Sequence, residues 1–245
     1  MVTKPRRRRS ILLAAVALIG AILVGAIGIT RYLGWFGGPV YRLMPAVGRT
    51  PPAQREVAVV LFSGDTGFHA GMTPKVAATL AAHGVPVLVV NSLTAFASRR
   101  TPDEARAQVA DAVRHALALP GIRRVVLAGQ SFGADMVQYG AAGMPSALRP
   151  KVVQVLLAVP GDTLLFKATP DGLLDGAPDR PALPSARAID WTPVLCIHGA
   201  VEENSLCPLL HGRNVRIVTL PGGHHLDQDD AALSGALWQA IVQGR

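Results

Sequence analysis

The chain has 245 residues, half of them hydrophobic and only 16% charged. That excludes an unfolded chain, which lacks the apolar surface to offset the entropy of ordering, and it allows one sizeable core rather than two domains. The formal charge of +8 is concentrated at the start, where Lys4 and Arg6, Arg7, Arg8 and Arg9 place five positive charges within the first ten residues. No aromatic residues interleave with the basic ones in the way that stacks bases, so the balance points to a membrane surface and not to nucleic acid.

Residues 11–29 are all Ile, Leu, Val, Ala or Gly. At about 1.5 Å per residue this run forms a helix roughly 28 Å long, close to the hydrocarbon thickness of a bilayer. The positive-inside rule keeps residues 1–10 in the cytoplasm and places the rest across the membrane, with Tyr32, Trp35 and Phe36 in an interfacial belt. A retained anchor is the expectation. The alternative is a cleaved signal, but the apolar region of a signal is usually shorter, and no clear Ala-x-Ala site follows Ile29. Arg8-Arg9-Ser10-Ile11-Leu12 also fits a twin-arginine export signal loosely. Residues 30–55, rich in Gly and Pro and without periodicity, read as a linker. The folded domain is expected over 56–245.

Within that domain, short apolar runs alternate with helical patterns. Strands are predicted over Val57–Phe62, Pro86–Val90, Val125–Gly129, Val152–Val159, Val194–His198 and Val215–Leu220. Such runs suit strands buried on both faces of a parallel sheet. Helices are predicted over Pro74–His83, capped by Thr73 and stopped by Gly84; from a Thr101-to-Glu104 capping box to about Leu119; over Ala134–Ala142; and over Asp230–Val242. The alternation implies an α/β domain with a mostly parallel sheet. The long segment Thr163–Trp191, rich in Pro, Gly and Asp, is of the kind that covers a site.

Gly129-Gln130-Ser131-Phe132-Gly133 lies between a predicted strand and a predicted helix, the context that gives Gly-x-Ser-x-Gly its meaning as a nucleophile elbow. Side chains two residues either side of the serine would collide in so sharp a turn, which explains the glycines. A serine hydroxyl needs a base oriented by a third group, and on this architecture the chain order is Ser, acid, His. Pro221-Gly222-Gly223-His224-His225 follows the last strand; His224 is the expected base and His225 the runner-up. The acid is expected at Glu202, with Glu203 and Asp162 as alternatives. The oxyanion hole is expected from the backbone N–H of Phe132 and that of Asp65, in the turn Ser63–Gly67, with the Asp65 side chain turned away. Cys196 and Cys207 flank the acid loop and are expected to form a disulfide in an exported protein, the alternative being two buried thiols. A zinc reading using His198 and His211 matches no recognised spacing, so neither metal nor cofactor is expected.

Five segments together resemble the bacterial virulence protein VirJ/AcvB family: Leu61–Asp65; Asn91–Leu93 with Ser98–Pro102; Gln130–Asp135; Glu202–Pro208; and Gly222–Asp227. The resemblance spans about 57–242. It implies an α/β-hydrolase fold, minimal and without a large cap domain, located in the periplasm, with Ser131 as nucleophile and the double-His loop supplying the base. AcvB-like members are associated with hydrolysis of aminoacylated phosphatidylglycerol and VirJ with type IV secretion. The chain departs from the pattern at Asn91 and Asn204, where Asp is expected, at Ala97 where a Trp is expected nearby, and at Ala200 and Val201, where the loop is less acidic. The resemblance therefore implies a serine hydrolase held at the inner membrane by residues 11–29 and cleaving an aminoacyl (lysyl) lipid ester. The alternatives are a non-enzymatic accessory protein binding secretion-system proteins, and a generic carboxylesterase or thioesterase.

Overall fold

The computed structural model describes residues 5–244; Lys4 and the side chains of Arg6–Arg9 lie outside the described residues. The elements are, in chain order, α1 (Pro5–Leu33), β1 (Tyr41–Met44), β2 (Val57–Phe62), α2 (Thr73–Ala82), β3 (Val87–Val90), α3 (Ser92–Ala95), α4 (Pro102–Leu117) and β4 (Arg124–Gln130). After these come α5 (Phe132–Ala142), β5 (Val152–Ala158), β6 (Thr163–Leu164), β7 (Arg180–Pro181), α6 (Leu183–Arg187), β8 (Val194–Gly199), β9 (Val215–Leu220) and α7 (Asp230–Gln243).

Seven strands form one sheet in the order β1-β3-β2-β4-β5-β8-β9. Every pairing is parallel except that of β1 with β3. All six residues of β2 and all four of β3 are buried, as strands covered on both faces require. One apolar cluster lies on the face covered by α4 and α5, including Val60, Leu127, Val109 and Val137. The other lies under α2 and α7 and includes Val59, Leu156, Leu80 and Leu237. The parallel order carries the carboxyl ends of β2, β3, β4, β8 and β9 to one edge, where the site is built.

The capping box that opens α4 forms as the spacing predicts: Glu104 N donates to Thr101 Oγ1 (3.3 Å), and Thr101 N donates to Glu104 Oε2 (2.7 Å). Thr73 does not cap α2. It is the first helical residue, and its hydroxyl instead donates to Gln130 Oε1 (2.8 Å), beside the nucleophile elbow.

Residues 30–55, which read as a linker by composition, hold the end of α1 and the strand β1. The outer edge of β3 has a row of backbone groups that need partners, and β1 supplies them in antiparallel register from Tyr41 opposite Val90 to Met44 opposite Val87. Tyr41 is pinned from its tip as well, donating to Asp111 Oδ2 (3.0 Å) and accepting from Gln108 Nε2 (2.9 Å), both on α4. Gln54 is buried and donates to the Ile241 carbonyl at the end of α7 (3.3 Å). Four residues with mixed burial carry no clear alternation, so the composition of this stretch concealed the strand.

Cys196 and Cys207 are joined in a disulfide, and both are fully buried. The bond ties β8 to the loop that follows it, closing a short ring. Replacing both cysteines with alanine is expected to lower stability by about 2–3 kcal/mol, the range for a short closed loop, read as a drop in the urea midpoint.

Candidate active site

The chain reverses direction at Ser131, between β4 and α5. Ser131 has φ 51° and ψ −126°, a conformation that costs a non-glycine residue on the order of 1–3 kcal/mol and persists only where its surroundings hold it. The surroundings here are steric. A Cβ at Gly129 would overlap the backbone of Gly133 and Ala134, and one at Gly133 would overlap the carbonyls of Phe62 and Ser63 at the end of β2. Ser131 N donates to the Ala158 carbonyl (2.8 Å), fixing the turn to the end of β5.

The structure brings together three of the residues singled out from sequence. Ser131 Oγ lies 2.8 Å from His224 Nε2, and His224 Nδ1 lies 2.6 Å from Glu202 Oε1. The other oxygen of Glu202 accepts the Gly199 N–H at 3.1 Å. The Glu202 side chain is 2% exposed and that of His224 43%. A buried carboxylate with both oxygens engaged fixes the tautomer and direction of the ring, while the exposed imidazole can meet a substrate. The close packing of β8 on the histidine loop sets this distance: a Cβ on Gly199 would overlap the carbonyls of Gly222 and Gly223.

The other candidates stand apart from this chain of hydrogen bonds. Glu203 is exposed on the loop. Asp162 is held through its backbone N–H by the Asn204 carbonyl (2.8 Å). His225 meets His224 edge to face, with ring centroids 5.5 Å apart, and lines the pocket instead. His198 accepts or donates to Thr219 Oγ1 at 3.0 Å, and among the described residues no cluster of His, Cys, Asp and Glu is arranged to hold a metal.

A pocket of about 190 Å³ opens over Ser131 and His224, walled by Gly64, Asp65, Thr73 and Asp171 among others. Gly64 stands beside Ser131, since a Cβ placed on it would lie 3.8 Å from that of Ser131. The turn after β2 therefore flanks Ser131 as expected. Phe132 opens α5, where the first N–H groups have no intrahelical partner. The Asp65 side chain does not turn away from the site. Its Oδ2 lies 3.9 Å from where a Cβ of Gly172 would stand, beneath the segment that carries Asp171 and Asp175. Burial raises the Asp65 carboxyl above its ordinary value, and the nearby carboxylates of Asp171 and Asp175 raise it further. Those two residues belong to the long segment 163–191, so that segment does wall the site. Their role there was missed, because a loop's path over a sheet is not encoded in local spacing.

Sequence reasoning also missed Asp135. One turn into α5, its Oδ1 accepts the Gly161 N–H at 2.8 Å. Gly161 lies just past Val159, whose φ of 48° is a genuine outlier for a β-branched residue. That strained turn is also held by Val159 N to the Ile197 carbonyl (2.7 Å) and Leu206 N to the Pro160 carbonyl (3.0 Å). Asp135 thus links α5, through the turn after β5, to the loop that bears Glu202. It keeps a small accessible face but has protein on nearly every side. Desolvation drives its carboxyl well above the ordinary range, against the pull of the Gly161 N–H, and the charges of Glu202, Asp162 and Asp65 add to the rise.

The family model for bacterial virulence protein (VirJ) matches residues 56–244. No curated protein matches the sequence. Among solved structures, the chain is similar to Est1E from Butyrivibrio proteoclasticus, with 19% identity, a TM-score of 0.60, and coverage of 83% of this chain and 93% of that one. It is also similar to a dienelactone hydrolase from Anabaena variabilis, with 17% identity, a TM-score of 0.57, and coverage of 83% and 90%. A third likeness is to XC6422 from Xanthomonas campestris, an α/β serine hydrolase without a lid, with 18% identity, a TM-score of 0.55, and coverage of 84% and 91%. These likenesses show the α/β-hydrolase fold.

Two outcomes test this geometry. Glu202→Gln, which keeps the shape but removes the charge, is expected to lower kcat by roughly 10³–10⁴ if the acid works as in other serine triads, while Glu203→Gln leaves it near wild type. Asp135→Asn keeps an acceptor for Gly161 N–H and removes the desolvated charge. A carboxyl with a raised native pKa binds its proton more tightly folded than unfolded, so stability falls as pH rises from the ordinary carboxylate range through the raised value. The asparagine variant is therefore expected to melt higher than wild type at neutral pH, with the difference vanishing in acid.

Proposed function

This chain belongs to the bacterial virulence protein (VirJ) family, and from that premise we propose that it is a serine hydrolase that cleaves an ester, with an aminoacyl lipid of the lysyl-phosphatidylglycerol kind as substrate. The observation that carries the reading is the continuous relay from Ser131 Oγ through His224 to Glu202, at 2.8 and 2.6 Å. Ser131 Oγ attacks the ester carbonyl while His224 Nε2 takes its proton. The N–H groups of Phe132 and the turn after β2 stabilise the oxyanion. His224 then gives the proton to the leaving alcohol oxygen. Water, deprotonated by the same imidazole, releases the amino acid and frees Ser131.

The choice of substrate rests on charge. An aminoacyl ester carries an ammonium group close to the reacting carbonyl, and the pocket wall offers Asp65 and Asp171. Burial and like charges disfavour the ionised form of Asp65, and a cation bound beside it favours that form. The apolar helix α1 is long enough, from Ser10 to Leu33, to cross a membrane. As a retained anchor with its basic end in the cytoplasm, it keeps the domain on the periplasmic face of the inner membrane, next to such a lipid. The retention of Ser131, His224 and Glu202 in relay geometry favours this reading over an accessory protein for secretion.

The full chain, purified in detergent, is to be assayed against lysyl-phosphatidylglycerol and a neutral lipid ester, beside Ser131→Ala and Asp65→Asn. Loss of lysine release in Ser131→Ala is expected. A KM for the lysyl ester about tenfold higher in Asp65→Asn, with the neutral ester unaffected, is the cost of one charge-assisted contact. Equal turnover of both lipids by the wild type would replace the substrate assignment with a generic esterase. A folded protein with no Ser131-dependent turnover of either would favour the accessory-protein reading.

A further inference from the structure

The edge of the sheet that carries the relay also receives the end of α1. The Leu33 carbonyl accepts from Asn91 Nδ2 (3.2 Å), and the Gly34 carbonyl accepts from Thr94 Oγ1 (2.8 Å). Asn91 and Thr94 follow β3, at the carboxyl end of the strand. Gly34 is buried with φ 99°, and a Cβ on it would overlap both side chains. Gly67, in the turn beside Asp65, approaches so closely that a Cβ there would press on the Leu33 carbonyl. Tyr32 lies over His69 with ring centroids 4.4 Å apart, and Trp35 packs against the main core. The helix therefore ends in a socket built by the same turn that flanks the nucleophile. Residues 11–29 are exposed along their whole length.

A helix seated at one end and exposed over residues 11–29 leaves the domain from the edge that holds it. If it crosses a bilayer, that edge faces the bilayer surface. A second feature of the edge fits such a surface. Leu173 and Leu174 are 78% and 63% exposed and follow Asp171, which walls the pocket. Beside Glu202, Val201 is 75% exposed. Apolar side chains at the rim of a site, together with Arg31 and Tyr32 at the end of the span, match the composition of a membrane interface.

Resting on the reading of α1 as a retained anchor, the geometry points to a fixed seating in which the Gly67–Asn91–Thr94 socket holds the pocket mouth and the Leu173–Leu174 tip against the phospholipid surface that the anchor enters. The partner is the bilayer itself, and the substrate enters from that leaflet without crossing free solution. A flexible tether would give the same local concentration but no preferred face.

The native cysteines are paired and buried, so a single new cysteine can be labelled cleanly. The full chain carrying Leu173→Cys, and separately Arg213→Cys at the opposite edge before β9, is to be labelled with a fluorophore and placed in phosphatidylglycerol-containing vesicles with a headgroup spin-label quencher. Several-fold stronger quenching at position 173 than at 213 is expected. Adding Asn91→Asp with Thr94→Val, which removes both donors but leaves a capping oxygen at position 91, is expected to shrink that difference. It should also slow turnover of vesicle lipid while sparing a soluble short-chain ester. Equal quenching at the two positions in the otherwise unaltered chain would overturn the seating. Strong quenching at 173 without lipid turnover would leave the seating intact and count against the ester-cleaving reading alone.

Discussion

The structure turns on a steric constraint, the close approach of the chain reversal at Ser131 to the end of β2. Gly133 packs against the Phe62 and Ser63 carbonyls with no room for a side chain, and Gly129 against Gly133. This contact holds Ser131 in a backbone conformation that a serine in free chain would leave. It also sets the turn after β2 beside Ser131, where its N–H groups are the candidate oxyanion donors. The same turn presses on the end of the N-terminal helix through Gly67. One region of tight backbone contact thus aligns the Ser131 hydroxyl, the candidate oxyanion donors and the end of the N-terminal helix.

The acid side of the site is held by a different device. Glu202 sits on a loop closed at its far end by the disulfide to β8 and tied to the turn after β5 by the backbone bridge of Gly161 with Ser205. Asp135 fastens that turn to α5. The carboxylate held in this way is nearly removed from solvent, with one oxygen on a backbone N–H and the other on the imidazole. A carboxylate left unpaired in such a position would be costly, so the geometry is stable only while the histidine loop is in place. The relay and the fold support each other at this point.

The N-terminal region changes character when seen in three dimensions. Its Gly and Pro content reads as a tether, yet it supplies an edge strand and the segment that fills the socket. Asn91 stands where the family resemblance leads one to expect an aspartate. Its amide can donate to the Leu33 carbonyl, which a carboxylate cannot do, while its oxygen still caps α3 by accepting from Thr94 N (3.2 Å). Short edge strands of mixed burial lack the alternation that would reveal them, and a glycine that fits under a neighbouring carbonyl looks in sequence like any loop glycine.

The sequence by itself determined the elements whose conformation depends on near neighbours. These are the apolar runs of the inner strands, the Thr101–Glu104 capping box, the Gly-x-Ser-x-Gly reversal, the membrane-length helix and the order in which Ser131, the glutamates and the histidines occur. Only the tertiary structure brought Glu202, and not Glu203, to His224, and His224, and not His225, to Ser131. It alone placed Asp65, Asp171 and Asp135 around the site and seated the end of the N-terminal helix beside it. The relay joins residues 93 and 22 positions apart. Whether a side chain at such a separation meets its partner depends on how sheet twist, loop path and packing combine. Adjacent residues of the same type share a local pattern, but their side chains leave the backbone in different directions.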